Sequence, residues 1–155
     1  MRRPRRLIRL LPVALVLVLA AAGTGCSQLS NEPARYTLAC GVVLDGSGSA
    51  APGLEGFDAE AKTKSKLIPF LSDRKCRTLS FAPITKASRT SPCQVSRIDL
   101  DPDLSGDTDR GTTRDTLRLV AQSSALKMLH CAQRRDPGSD VLGGLSQIAL
   151  AKPSG

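Results

Sequence analysis

The first long apolar run, Leu10 to Ala22, is uncharged, and polar "SQLSNEPAR", residues 27 to 35, a short tether broken by Pro33, comes after it. "YTLACGVVL", Tyr36 to Leu44, is apolar and β-branched without alternation and stops at a Gly/Ser cluster. This predicts a strand buried on both faces, as in the centre of a parallel sheet. "GLEGFDAEAKTKSKLIPFL" then sets Phe57, Ala61, Leu67 and Ile68 among charged residues, predicting a helix that Pro69 kinks or ends. "CRTLSFAPI", Cys76 to Ile84, alternates apolar residues at Leu79, Phe81 and Pro83 and predicts a second strand. "CQVSRIDLD", Cys93 to Asp101, with Val95, Ile98 and Leu100, predicts a third strand at a sheet edge.

The next stretch, "PDLSGDTDRGTTRD", has the composition of a long hydrophilic connection. Beyond it "TLRLVAQSSALKMLHCAQRR" places Leu117, Val120, Ala121, Leu126 and Leu129 at near-helical spacing and closes on Arg134 and Arg135, which suit a helix C-terminus. "DPGSDVLGGLSQIALAKPSG" opens with a turn and predicts a last helix capped by Ser139 or Asp140. The order strand, helix, strand, strand, helix, helix indicates an α/β fold, with ligands expected at the carboxyl ends of the parallel strands.

Thirteen residues, Leu10 to Ala22, are too few for a transmembrane helix, which takes about 20. Their flanks give them a different meaning. Five arginines lie in the first nine residues, and small residues lead into Cys26, the layout of a bacterial secretory signal peptide. "AAGTGC" resembles the lipobox of bacterial lipoproteins, which implies cleavage before Cys26 and lipid on that cysteine. The expected organisation is a signal peptide over 1–25, a lipidated tether over 26–35 and a domain over 36–155, held on the extracytoplasmic face of a bacterial cell membrane.

Removing the leader changes the charge. The whole chain carries 22 basic and 14 acidic residues, a formal +8; the leader holds five of the basic ones and no acid, so +3 remains. The high pI is therefore no evidence for nucleic acid, and one Tyr, three Phe and no Trp give no platform for stacking bases. Cys40, Cys76, Cys93 and Cys131 follow Cys26, an even set that predicts two disulfides with three pairings open. Zinc would want closely paired ligands, and no two of these cysteines stand in a C-x-x-C spacing.

The chemistry concentrates at "VVLDGSGS", where a strand runs into Asp45, Ser47 and Ser49 separated by glycines. Neither serine sits in the G-x-S-x-G of a nucleophile elbow, and the single histidine, His130, falls inside a predicted helix as a structural residue. "GSGSAAPG" has no lysine followed by Ser or Thr, as a phosphate-binding P-loop requires. One carboxylate and two hydroxyls suit a hard divalent cation, Mg²⁺ or Mn²⁺, with Ca²⁺ a further candidate. Counted from Asp99, the acidic "DLDPDLSGDTD" has Leu104 and Arg110 where an EF-hand needs Gly and Glu, and is expected to be a solvated connection.

Asp-x-Ser-x-Ser after a buried strand resembles the metal ion-dependent adhesion site of von Willebrand factor type A domains. The resemblance implies a three-layer, Rossmann-like α/β sheet with helices on both faces. It also implies a second ligand loop at "GSDVLGGLSQIAL", where Ser139 stands in for the family's threonine and Asp140 is a direct or outer ligand. The family's third loop, an acid and glycine after a further strand, has no counterpart before Gly155, so an incomplete domain is expected, with the first strand left at an open edge. On that fold the implied disulfides are Cys40–Cys76 and Cys93–Cys131. The implied function is binding, not catalysis: a protein partner's acidic side chain would fill the cation's open position. The alternatives are a structural or substrate-capturing envelope lipoprotein without a metal site, and a truncated product without function.

Overall fold

Nine residues with side chains that are nearly all buried, Cys76–Ile84, form the central strand β2 of a three-stranded mixed sheet. The computed structural model describes residues 34–50, 57–93, 97–104 and 109–151, all within one compact unit. The expected signal peptide, Cys26 and the tether up to residue 33 lie outside the described residues. The first strand, β1 (Leu38–Asp45), pairs in parallel with β2 from Leu38↔Cys76 to Asp45↔Ile84, with a register shift after Leu38. The third, β3 (Arg97–Asp99), pairs antiparallel on the other side of β2.

Among the described residues β1 is thus an edge strand, the open edge that the resemblance implied, where its apolar run by itself had suggested a central one. The pattern misled because apolar residues at an edge and at a centre look alike in sequence. The third strand is at an edge as expected, though only three residues of it pair, and Gln94 to Ser96 lie outside the described residues.

Among the described residues three α-helices accompany the sheet: α1 (Ala59–Asp73), α2 (Arg110–Arg135) and α3 (Val141–Leu150). None is long and apolar enough to cross a membrane. Asp58 caps α1 by accepting from Ala61 N at 2.8 Å, and Pro69 stands inside the helix instead of ending it. The carbonyl deprived of a donor belongs to Ser65, which is exposed, so water can serve it. The apolar contacts of α1 are also displaced from the expected set: Leu67 and Leu71 are buried, whereas Phe57 is exposed under Lys62, whose ammonium lies 3.8 Å from the ring centroid.

The main core gathers Val42 and Leu44 of β1, Leu79 and Phe81 of β2, Leu67 and Leu71 of α1, and Ala121, Ala125 and Leu129 of α2. The alanines spaced along α2 let that helix approach closely. Gly41 and Ile84, which alternate with those strand residues, meet α3 instead. A Cβ on Gly41 would lie 2.3 Å from Ile148 Cγ2, and one on Gly144 3.1 Å from Pro83 O. The glycines are what let a ten-residue helix lie flush on the strands. Its outward side chains Val141, Leu142, Leu145 and Leu150 are exposed.

Helix α2 begins six residues before the apolar pattern does, inside the stretch expected to be a connection. Asp109 caps it, accepting from Gly111 N and Thr112 N at 3.0 Å each, and hydrogen bonds from Thr112 hold its carboxyl below the usual range. Arg110, Arg114 and Arg118, one helical turn apart, are buried. Asp101, which the sequence placed in a solvated loop and which is 2% exposed, is the counter-ion of Arg110 and Arg114, whereas Arg118 pairs with Asp115 at 2.6 Å. Asp101 Oδ1 accepts from Arg110 Nη1 at 2.9 Å and Arg114 Nε at 3.0 Å; its Oδ2 accepts from Arg114 Nη2 at 2.9 Å and Tyr36 N at 2.7 Å. Arg114 also donates to Ala34 O at 2.8 Å and stacks 3.9 Å above the Tyr36 ring. The cluster ties the chain's approach to β1, the exit of β3 and the first half of α2 to one carboxylate.

Cys40 and Cys76 are joined in a disulfide across the amino-terminal halves of β1 and β2, and Cys93 is joined to Cys131 of α2. Both pairs are those the fold resemblance implied. In the chain-entropy picture a crosslink closing a sequence separation of 36 or 38 residues is worth about 4 kcal/mol.

Burial by itself would raise the Asp101 pKa; hydrogen bonds from Arg114, the Tyr36 amide and Arg110 outweigh it and hold the carboxyl well below its usual range. The stability this contributes is present above the unfolded-state pKa of about 3.9 and is lost as pH falls below it. Urea midpoints measured from pH 7 to pH 2.5 should fall with acidification, and Asp101→Asn should cost about 3 kcal/mol at pH 7 while flattening that acid limb. A second expectation concerns Lys75, which stands at φ 53° between α1 and β2. Lys75→Gly should raise stability by about 1 kcal/mol in thermal melts, because glycine enters that region without strain.

Candidate functional site

Parallel pairing brings the carboxyl ends of β1 and β2 together; the Asp45–Ser49 segment leaves β1 there, and the Ser139–Asp140 segment, which follows α2, is hydrogen-bonded to the end of β2. Gly46 N donates to Ile84 O at 2.9 Å, which continues the β1–β2 pairing one residue past Asp45. A Cβ at residue 46 would lie 2.6 Å from Ala132 Cβ and 2.8 Å from Ile84 O, so only glycine lets the chain turn between β2 and α2. Asp45 Oδ1 accepts from Ser47 N at 2.9 Å, closing an Asx turn. A single 3₁₀ turn, Gly48–Ala50, follows, with Ala50 N donating to Ser47 O at 3.1 Å.

This turn carries two serines to one point. The Ser47 and Ser49 hydroxyls are 3.0 Å apart, with Ser47 only 6% exposed and Ser49 exposed. Two residues apart, the serines would share a face even in an extended chain; the 3₁₀ turn brings their hydroxyls within hydrogen-bond distance. Asp45, half-buried, gives Oδ1 to the turn, and among the described residues its Oδ2 has no hydrogen-bond partner. One carboxylate and two hydroxyls form a hard-oxygen donor set of the chemical type that Mg²⁺ or Mn²⁺ takes.

No protein-family model, curated protein or solved structure matches the chain.

The second expected loop is held at the end of β2 by a separate set of bonds. Asp140 caps α3, its Oδ1 accepting from Gly143 N at 2.9 Å and its Oδ2 from Ser88 N at 3.0 Å. Ser139 is exposed and its carbonyl accepts from Val141 N at 2.9 Å. Asp45, Ser47 and Ser49 are thus brought together, while no hydrogen bond among the described residues joins them to Ser139 or Asp140. Nor do the described residues contain a group of three or more His, Cys, Asp or Glu side chains that could hold a metal. The donor set expected here has two carboxylates at most.

Two residues at this end escaped sequence reasoning. Ser88, buried in a short 3₁₀ turn, accepts from Thr85 N at 3.0 Å and donates to Asp140 O at 2.7 Å. Thr85 is fully buried, and among the described residues its hydroxyl has no hydrogen-bond partner. No local pattern marks either one; their partners lie 52 residues away in the case of Ser88 and Asp140. His130 on α2 meets Glu60 Oε2 of α1 at 3.0 Å. Hydrogen bonds from Lys64 and then His130 hold the Glu60 carboxyl below its usual range.

Because Gly46 is wedged between Ala132 and Ile84, Gly46→Ala should destabilise the domain by about 1–3 kcal/mol in denaturant titrations. The neighbouring Gly48, around which a Cβ would meet nothing within 4 Å, should accept alanine with a smaller change in the same measurement.

Proposed function

We propose that the chain is an outward-facing cell-envelope lipoprotein whose von Willebrand factor type A-like domain holds a divalent cation at Asp45, Ser47, Ser49 and Ser139 and uses it to bind an acidic side chain of a protein partner. The observation that carries the reading is the convergence of the Ser47 and Ser49 hydroxyls, 3.0 Å apart, beside the Asp45 carboxylate at the carboxyl end of a parallel strand. When bound, the cation would supply a positive charge and an open coordination position for a carboxylate.

The fold offers support from its two sets of helix contacts. Val42 and Phe81 pack with α1 and α2, while the alternating Gly41 and Ile84 meet α3, the layering expected of such a domain. Two disulfides support an oxidising compartment, consistent with export and a lipid anchor at Cys26. The reading is one of binding because the serine hydroxyls bond each other and the single histidine bonds Glu60, leaving no nucleophile paired with a base among these groups.

A second reading, an envelope lipoprotein of structural or substrate-capturing role with no metal, is favoured by the same turn. Its Asx bond and serine pair already give one Asp45 oxygen and both serine hydroxyls a partner without a cation.

Melting curves in EDTA and in millimolar Mg²⁺ or Mn²⁺ separate the two. Under the cation reading the metal raises the melting temperature, since a ligand bound only by the folded state stabilises it, and Asp45→Ala abolishes the shift. Identical curves with and without metal would discard it in favour of the second.

A further inference from the structure

The segments that meet at the end of β2 are joined by a closed set of hydrogen bonds. Asp140 N donates to Thr85 O at 2.8 Å. The Ser88 hydroxyl accepts from Thr85 N and donates to Asp140 O, so both of its roles are filled. Ser88 N and Gly143 N each donate to one oxygen of the Asp140 carboxylate. Gly143 is part of the design: a Cβ there would lie 2.1 Å from Asp140 Oδ2. A second close approach lies just before, where a Cβ on Gly138 would be 2.3 Å from Lys86 Cα. Both flanks of Ser139 are therefore fastened to the 85–88 segment.

Ser88 and Gly143 are buried, so turning either carboxylate oxygen away toward an ion would strand a buried N–H. The same carboxylate is the cap of α3, which has ten residues and depends on it for its first turn. We infer that Asp140 is a positioning residue and not a cation ligand: with Ser88 it locks the segment carrying Ser139 to the end of β2. This rests on the cation reading above. It leaves Asp45 as the one carboxylate among the four ligands, so a divalent cation held there keeps a net positive charge and favours an anionic group on the partner.

The test titrates the full chain with Mn²⁺, followed by the EPR signal of the free ion, alongside melting in EDTA. The wild type binds, and Asp45→Asn removes measurable binding. Ser88→Ala weakens affinity roughly tenfold, as loss of a residue that orients a ligand does, and Ser88→Thr restores it by returning the hydroxyl. Asp140→Asn, which keeps one acceptor for the cap, weakens affinity by a similar factor and not to the extent of Asp45→Asn. Loss of binding in Asp140→Asn as complete as in Asp45→Asn would make Asp140 a ligand and overturn the inference. So would a Ser88→Ala protein that melts lower in EDTA yet binds Mn²⁺ like the wild type, since the network would then be structural alone. If Ser88→Ala does not fold, the comparison of Asp140→Asn with Asp45→Asn decides. A wild type that fails to bind Mn²⁺ removes the cation reading itself, and this inference with it.

Discussion

The carboxylate of Asp101 is the constraint on which the amino-terminal half of the domain depends. It is buried with two guanidinium groups and a backbone amide on its oxygens. Desolvating these charges is costly, and the arrangement is tolerable because each carboxylate oxygen accepts two hydrogen bonds. What the cluster supplies is placement. It fixes where the chain enters β1, where β3 ends and how far α2 extends, and the first of these lies 65 residues from Asp101. Without it the first half of α2, rich in arginine and threonine, would have no reason to lie against the protein.

The disulfides and the apolar core extend that placement across the rest of the sheet. Cys40–Cys76 joins the two parallel strands near their start, close to the end where Asp101 acts, and the core residues carry the pairing up to Asp45 and Ile84. Cys93–Cys131 holds the loop before β3 to α2. The carboxyl end of β2 is then a firm base on which two loops are mounted: the Asp45–Ser49 turn through Ile84, and the start of α3 through Thr85 and Ser88. In a fold of this kind the reactive or binding loops are held by the strand ends, and here the holding is done by backbone groups and small residues.

The division between sequence and structure follows the range of the forces involved. The element order, the limits of β2, the α/β class and the loop bearing Asp45, Ser47 and Ser49 were legible because they arise from periodicity and turn chemistry within a few residues. Hydrophobic pattern alone could not find the first six residues of α2, since their burial depends on Asp101, and it read Asp101 as solvated for the same reason. It could not tell that Pro69 would sit within a helix on its exposed face. The sequence by itself determined which strands and helices form and which oxygen-bearing side chains stand at a strand end. Only the tertiary structure decided that Tyr36 and Arg114 meet on the Asp101 carboxylate, that Gly46 is wedged between Ile84 and Ala132, and that Asp140 is engaged by Ser88. Those outcomes rest on hydrogen bonds, ion pairs and close approaches between segments tens of residues apart, and a linear pattern carries no record of such distances.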